Sequence, residues 1–163
     1  MFTLYFGGQK SGKSKLAEQK ALELSVTKPY YLATYNNSYD DNEMQSKVNT
    51  HKKQRADNFT TIEEQFNLPK IIKDDETYLI DCISMWILNN LDKNEAELLE
   101  QLERLSHKKA NIVFVLNDVN SGVIPIDKLS RKFVDLSGII GQKLASICDE
   151  VYEVKLGIVL KIK

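Results

Sequence analysis

Short apolar runs rich in β-branched and aromatic residues recur along this 163-residue chain. Between them lie stretches whose apolar positions repeat every three or four residues. The runs Phe2–Phe6, Tyr30–Ala33, Phe59–Ile62, Tyr78–Asp81, Asn111–Leu116 and Val151–Val154 read as strands, with a last one at Ile158–Ile162. Helical spacing predicts helices over Lys13–Ser25, Asp41–Arg55, Leu68–Lys73, Ser84–Leu91, Glu95–His107 and Asp127–Cys148. The alternation of the two patterns argues for an α/β fold, a mainly parallel sheet flanked by helices. The final pair of runs alternates around Gly157, which predicts a C-terminal antiparallel hairpin at one sheet edge, with lysines protecting that edge. No internal repeat or low-complexity stretch interrupts the pattern, and the length suits one domain with a good core, spanning residues 1–163.

In a sheet of this kind ligands bind beyond the C-terminal ends of the strands. Four of those ends are polar: Gly7–Ser14, Thr34–Asn37, Asp81–Ser84 and Asn117–Asn120. The first reads Gly7-Gly8-Gln9-Lys10-Ser11-Gly12-Lys13-Ser14, which fits G-x-x-x-x-G-K-[ST] between a strand and a helix. Each part of this phosphate-binding loop has a physical job. The glycines let backbone N–H groups turn inward and approach phosphate oxygens. Lys13 reaches the β- and γ-phosphates, the Ser14 hydroxyl ligates Mg²⁺, and the helix beginning at Lys13 adds its positive end. The expected fold is therefore P-loop NTPase-like.

The run ending in Asp81 supplies an acid of the kind a P-loop enzyme uses for Mg²⁺; on the fragment alone, a helix-capping Asp fits equally well. Asn117-Asp118 offers a second carboxylate at the same rim, or a polar turn. Met44, Val48, His51 and Arg55 share one helix face, with Lys47, Lys52 and Lys53 nearby. His51 is either a surface histidine or a nucleophile aimed at phosphorus; periodicity alone favours the former. His107 ends a helix, where a cation suits the dipole. Asp127 can cap the last helix, and Arg131 and Lys132 in its first turns oppose that dipole, a hint of an anionic ligand.

Twenty-two basic and 23 acidic residues leave a net charge of −1, with no electrostatic footprint for nucleic acid. Cys82 and Cys148 lie among apolar residues outside any metal-ligand spacing, as reduced buried cysteines do. No apolar run of about 18 residues is present to span a membrane, and the phosphate loop begins too near the N-terminus to leave room for a signal peptide. A cytoplasmic location is expected.

The ordered set of motifs resembles the bifunctional adenosylcobinamide kinase / adenosylcobinamide-phosphate guanylyltransferase family of cobalamin synthesis. The resemblance rests on Gly7–Ser14, Tyr31-Leu32-Ala33-Thr34, Asp41-x-Glu43-Met44, Val48 to Arg55 with its His-x-x-x-Arg, Thr61-Ile62-Glu63, Val123-Ile124-Pro125 and Arg131-Lys132-Phe133-Val134-Asp135. It implies two reactions. A nucleoside triphosphate, ATP or GTP, phosphorylates the hydroxyl of adenosylcobinamide. A histidine, by motif His51, then takes GMP from GTP and passes it to adenosylcobinamide phosphate. Lys52 and Arg55 match positions that bind GTP, Lys53 and Gln54 lie between them as further nucleotide-binding candidates, and Glu63 falls on another nucleotide-binding position. Thr34, Tyr35 and Asn36 are expected to join them with Asp81, and Mg²⁺ would sit on Ser14 and Asp81. The resemblance also implies a homo-trimer. Asp81 and Asp118 stand where the family has Glu, Asn120 where it has Gly, and Gly141 where it has Asn. Other readings of the same loop are a P-loop kinase of another small molecule and a non-catalytic GTP-binding module.

Overall fold

In the computed structural model, which describes residues 1–35 and 57–163, the apolar runs assemble into one seven-stranded sheet. The strands are β1 (Phe2–Gly7), β2 (Tyr30–Ala33), β3 (Thr60–Glu63), β4 (Thr77–Asp81), β5 (Asn111–Asn117), β6 (Glu150–Lys155) and β7 (Ile158–Lys161). The helices are α1 (Lys13–Leu24), α2 (Ile83–Asn89), α3 (Glu95–Ser106) and α4 (Lys128–Ile147). The expected helix Asp41–Arg55 lies outside the described residues.

The strand order is β3-β2-β4-β5-β1-β6-β7. All neighbours are parallel except β6 and β7, which form the expected antiparallel hairpin. The central strands are covered on both faces, which accounts for their nearly continuous apolar sequences. On one face, Tyr5, Leu79, Val113 and Val115 pack beneath α1 through Ala17 and Ala21. On the other, Leu4, Ile80, Ile112 and Phe114 meet α2, α3 and α4 through Trp86, Leu102 and Ile140. Period-two alternation puts Asp81 on the same face as Leu79, the α1 side.

One expected helix is cut short. Leu68–Lys70 forms a single 3₁₀ turn with Pro69 in its first positions. Beyond it, the Lys73 N–H donates to the Tyr78 hydroxyl at 3.1 Å, so this backbone is satisfied by β4 rather than by another helical turn. The helix-terminal readings hold at both long helices. Asp127 accepts the Ser130 N–H at 2.8 Å, and His107 closes α3 with its ring 3.3 Å from Glu103.

Candidate functional site

The phosphate loop runs from the end of β1 into the start of α1. Gly12 is the N-cap of α1 at φ 100°, and no side chain caps the helix. The first turn also lacks an acidic residue. Its first N–H groups thus have no side-chain acceptor from the helix itself, an arrangement suited to an anion. Gly7 is required by close approach: a Cβ there would lie 2.2 Å from the Val154 carbonyl oxygen on β6. The same hairpin touches the loop again at its tip, where the Gly157 N–H donates to the Ser11 carbonyl at 2.9 Å. The tip is a two-residue turn with Leu156 and Gly157 both at positive φ, which suits the strand twist. Gly157 thus marked both a turn and a brace on the phosphate loop, and only the first was readable from spacing.

Lys13 is 5% exposed, and its ammonium donates to the Gly8 carbonyl at 3.0 Å. Burial lowers its pKa from the ordinary lysine value, while Asp81 and Cys82 push it back up. The Asp81 carboxylate, on the α1 side of the sheet, therefore acts on the Lys13 ammonium. The Ser11 hydroxyl is buried and has no hydrogen-bond partner among the described residues. A buried hydroxyl without a partner, in a loop of turned-in amides, suits an oxyanion. Ser14 lies in the first turn of α1, next to Lys13.

Asp81 ends β4, two strands from β1, or roughly 10 Å at the usual interstrand spacing of about 4.8 Å. Its strand end is held from below. The Thr34 hydroxyl donates to the Cys82 carbonyl at 2.7 Å and accepts the Cys82 N–H at 3.1 Å. The Tyr31 hydroxyl donates to the Asp81 carbonyl at 3.2 Å, and the Asn89 amide joins Thr34 to Gln65 through their carbonyls at 2.7 and 3.2 Å. Thr34 is fully buried, so its contribution runs through the Asp81–Cys82 turn. Tyr35 follows it at the same rim. Glu63 is exposed at the end of β3, four strands from β1. Asn36, His51, Lys52, Lys53, Gln54 and Arg55 lie outside the described residues.

Several sequence readings change here. Arg131 and Lys132 serve backbone carbonyls: Arg131 donates to Pro125 and Ile126, Lys132 to Leu91 and Lys93. The hint of an anionic ligand at that helix is withdrawn. Both Asp118 carboxylate oxygens shape their own loop, accepting the Asn120 N–H at 3.0 Å and the Ser121 hydroxyl at 2.8 Å. Asn120 in turn donates to the Val134 carbonyl at 2.9 Å, a bond no glycine at that position could make. Cys148 is buried as expected, whereas Cys82 keeps partial exposure; burial pushes both thiols up to about 12.

The donor set fits Mg²⁺ bound together with a nucleotide. A hydroxyl and one carboxylate are hard oxygen ligands. Among the described residues no group of three or more His, Cys, Asp or Glu side chains could cage a metal alone, so phosphate oxygens would supply the rest. No helix of the described residues is long and apolar enough to cross a membrane.

Residues 3–162 match the model of a family described as cobinamide kinase / cobinamide phosphate guanyltransferase. The chain is 31% identical to the bifunctional adenosylcobalamin biosynthesis protein CobP of Pseudomonas aeruginosa, covering all of this chain and 98% of that one. It is 31% identical to the bifunctional adenosylcobalamin biosynthesis protein CobU of Escherichia coli and 32% to that of Salmonella typhimurium, each over the full length of both chains. Among solved structures, a Pyrococcus horikoshii protein superposes with a TM-score of 0.55 at 11% identity, covering 99% of this chain and 85% of that one. A type III secretion ATPase superposes with a TM-score of 0.54 at 12% identity, over 98% of this chain and 56% of that one. At such identity the structural likenesses show the P-loop NTPase-like fold.

Proposed function

The chain belongs to the cobinamide kinase / cobinamide phosphate guanyltransferase family, and on that premise we propose how its residues divide the two transfers. The protein is a transferase of cobalamin nucleotide-loop assembly, with the kinase and guanylyltransferase activities of its family. Its substrates are cobinamide, its phosphate and nucleoside triphosphates. We take residues 1–163 as one catalytic domain acting in the cytoplasm, within a homo-trimer.

The observation that carries the reading is the buried Lys13 beside an uncapped helix N-terminus, on the same sheet face as Asp81. Loop amides from Gly8 to Lys13 hold the phosphates, with the Ser11 hydroxyl as an added donor. Lys13 exchanges the Gly8 carbonyl for a phosphate oxygen and neutralises charge that grows on the leaving group. Ser14 and Asp81 would hold Mg²⁺, which when bound supplies Lewis-acid neutralisation of the phosphates. In the kinase step the acceptor hydroxyl oxygen bonds to the γ-phosphorus. The bond to the nucleoside diphosphate breaks, and the hydroxyl proton leaves to solvent or a nearby base.

In the second step an unprotonated nitrogen of His51 bonds to the α-phosphorus of GTP, and pyrophosphate leaves. A phosphate oxygen of the acceptor then displaces the histidine, yielding the GDP-linked product and restoring the imidazole. Lys52, Arg55 and Glu63 are assigned to GTP in this step by their motif match, with Thr34 acting through the strand end as described.

The test is acid-labile labelling. Wild type incubated with α-labelled GTP and Mg²⁺ should acquire label that chases onto cobinamide phosphate. His51→Ala should acquire none while retaining nucleotide binding. Equal labelling of the two proteins refutes the assignment.

A further inference from the structure

A second feature of the rim is unusual for a stable fold. Between β5 and the first turn of α4, Val123 is 95% exposed, Ile124 77%, Ile126 97% and Leu129 62%. Single exposed apolar residues are ordinary, but four within seven positions form a patch of the kind that marks a binding surface. The loop that carries them is braced at both ends by polar groups. Asp118 holds Asn120 and Ser121, Asn120 reaches the Val134 carbonyl, Arg131 holds the Pro125 and Ile126 carbonyls, and Asp127 caps α4. These bonds turn the backbone's polar groups inward and leave the apolar side chains facing solvent.

The position of the loop selects its occupant. β5 lies between β1, which leads into the phosphate loop, and β4, which ends in Asp81. The chain leaving β5 therefore emerges between the two halves of the phosphate site, and the Asp118 N–H donates to the Gly7 carbonyl at 2.9 Å. An acceptor oxygen must approach phosphorus between Lys13 and Asp81. A corrinoid is far too large to follow its own short arm into that cleft. Its ring, with methyl-studded faces and amide arms, has to rest on whatever stands at the mouth. Among the described residues a second exposed apolar stretch, along β7, lies beyond β6 on the side of β1 away from Asp81.

We propose that the braced loop Val123–Leu129 is the acceptor platform, on which the corrin ring of cobinamide rests while its arm reaches the phosphate site. This rests on the family reading above. The apolar side chains cover the methyl groups of the ring.

The test uses Ile124→Ser/Ile126→Ser in the full chain, with Ile158→Ser on β7 as a matched control. These side chains are exposed, so folding is preserved. Cobinamide is coloured, and its binding can be read by equilibrium dialysis beside the binding of a fluorescent GTP analogue. The double variant should bind cobinamide at least tenfold more weakly and GTP within twofold of wild type, with the control unchanged in both. Cobinamide affinity within twofold of wild type overturns the proposal, as does an equal loss for GTP. Dissociation of an oligomer with cobinamide affinity retained assigns the patch to a second copy and overturns it too. Wild type that binds GTP but no cobinamide removes the family reading and this proposal together.

Discussion

Replacing Thr34 with valine keeps the shape of a fully buried side chain and removes its two bonds to the Cys82 backbone. The two losses differ in size. The Cys82 carbonyl retains the Trp86 N–H at 3.3 Å, so it forfeits one ordinary bond, about 0.5–1.5 kcal/mol. Among the described residues no other acceptor meets the Cys82 N–H, and leaving a buried donor unmet costs about 1–3 kcal/mol. The sum, reduced somewhat by the better burial of a valine methyl, is about 2–3 kcal/mol. For a chain of this size that lowers Tm by about 4–12 °C. Thr34→Ser keeps the hydroxyl and should lose only about 1 kcal/mol, the worth of one buried methyl. Urea unfolding followed by fluorescence reads this well, because Trp86 is the sole tryptophan, is fully buried and sits on the α2 turn that Cys82 begins. The reasoning fails if Thr34→Val lies within about 0.5 kcal/mol of wild type, or if the serine variant is as unstable as the valine one.

Gly7→Ala would push a Cβ to 2.2 Å from the Val154 carbonyl, so β6 or the phosphate loop must shift; GTP affinity should fall at least tenfold, and an unchanged affinity would show that the hairpin does not brace the loop. Glu150 is held by Lys20 at 2.7 Å and Lys161 at 2.9 Å, and these bonds drop its pKa from 4.5 to about 2. A depressed carboxylate stabilises the fold above its unfolded pKa and loses that contribution as pH falls through the folded one. Between pH 5 and 2.5 the urea midpoint of wild type should therefore fall more steeply than that of Glu150→Gln, and parallel slopes would contradict the pairing.

How much was legible depends on the range of the forces involved. Most strand and helix bounds were readable to within a residue or two, because periodicity and caps act locally: Tyr30–Ala33 emerged as expected, and Asp127 caps α4. Leu68–Lys73 was misread because its backbone partner, the Tyr78 hydroxyl, comes from a strand whose docking no local pattern encodes. Arg131 and Lys132 misled for the same reason, since the carbonyls they serve are assembled by the fold. Thr34 was rightly placed at the rim, yet its hydroxyl turned toward a neighbouring strand end.

The phosphate loop, its flanking strand and helix, and hence the class of ligand were determined by the sequence alone. Those features rest on glycine conformational freedom and a fixed spacing of lysine and serine, which need no distant partner. What only the tertiary structure decided is the order of the sheet. Packing on both faces set β5 between β1 and β4, and that brought the strand ending in Asp81 within two strands of the phosphate loop and laid the C-terminal hairpin on that loop. Strand order arises from burial shared among segments far apart in the chain, and no window of residues carries that information.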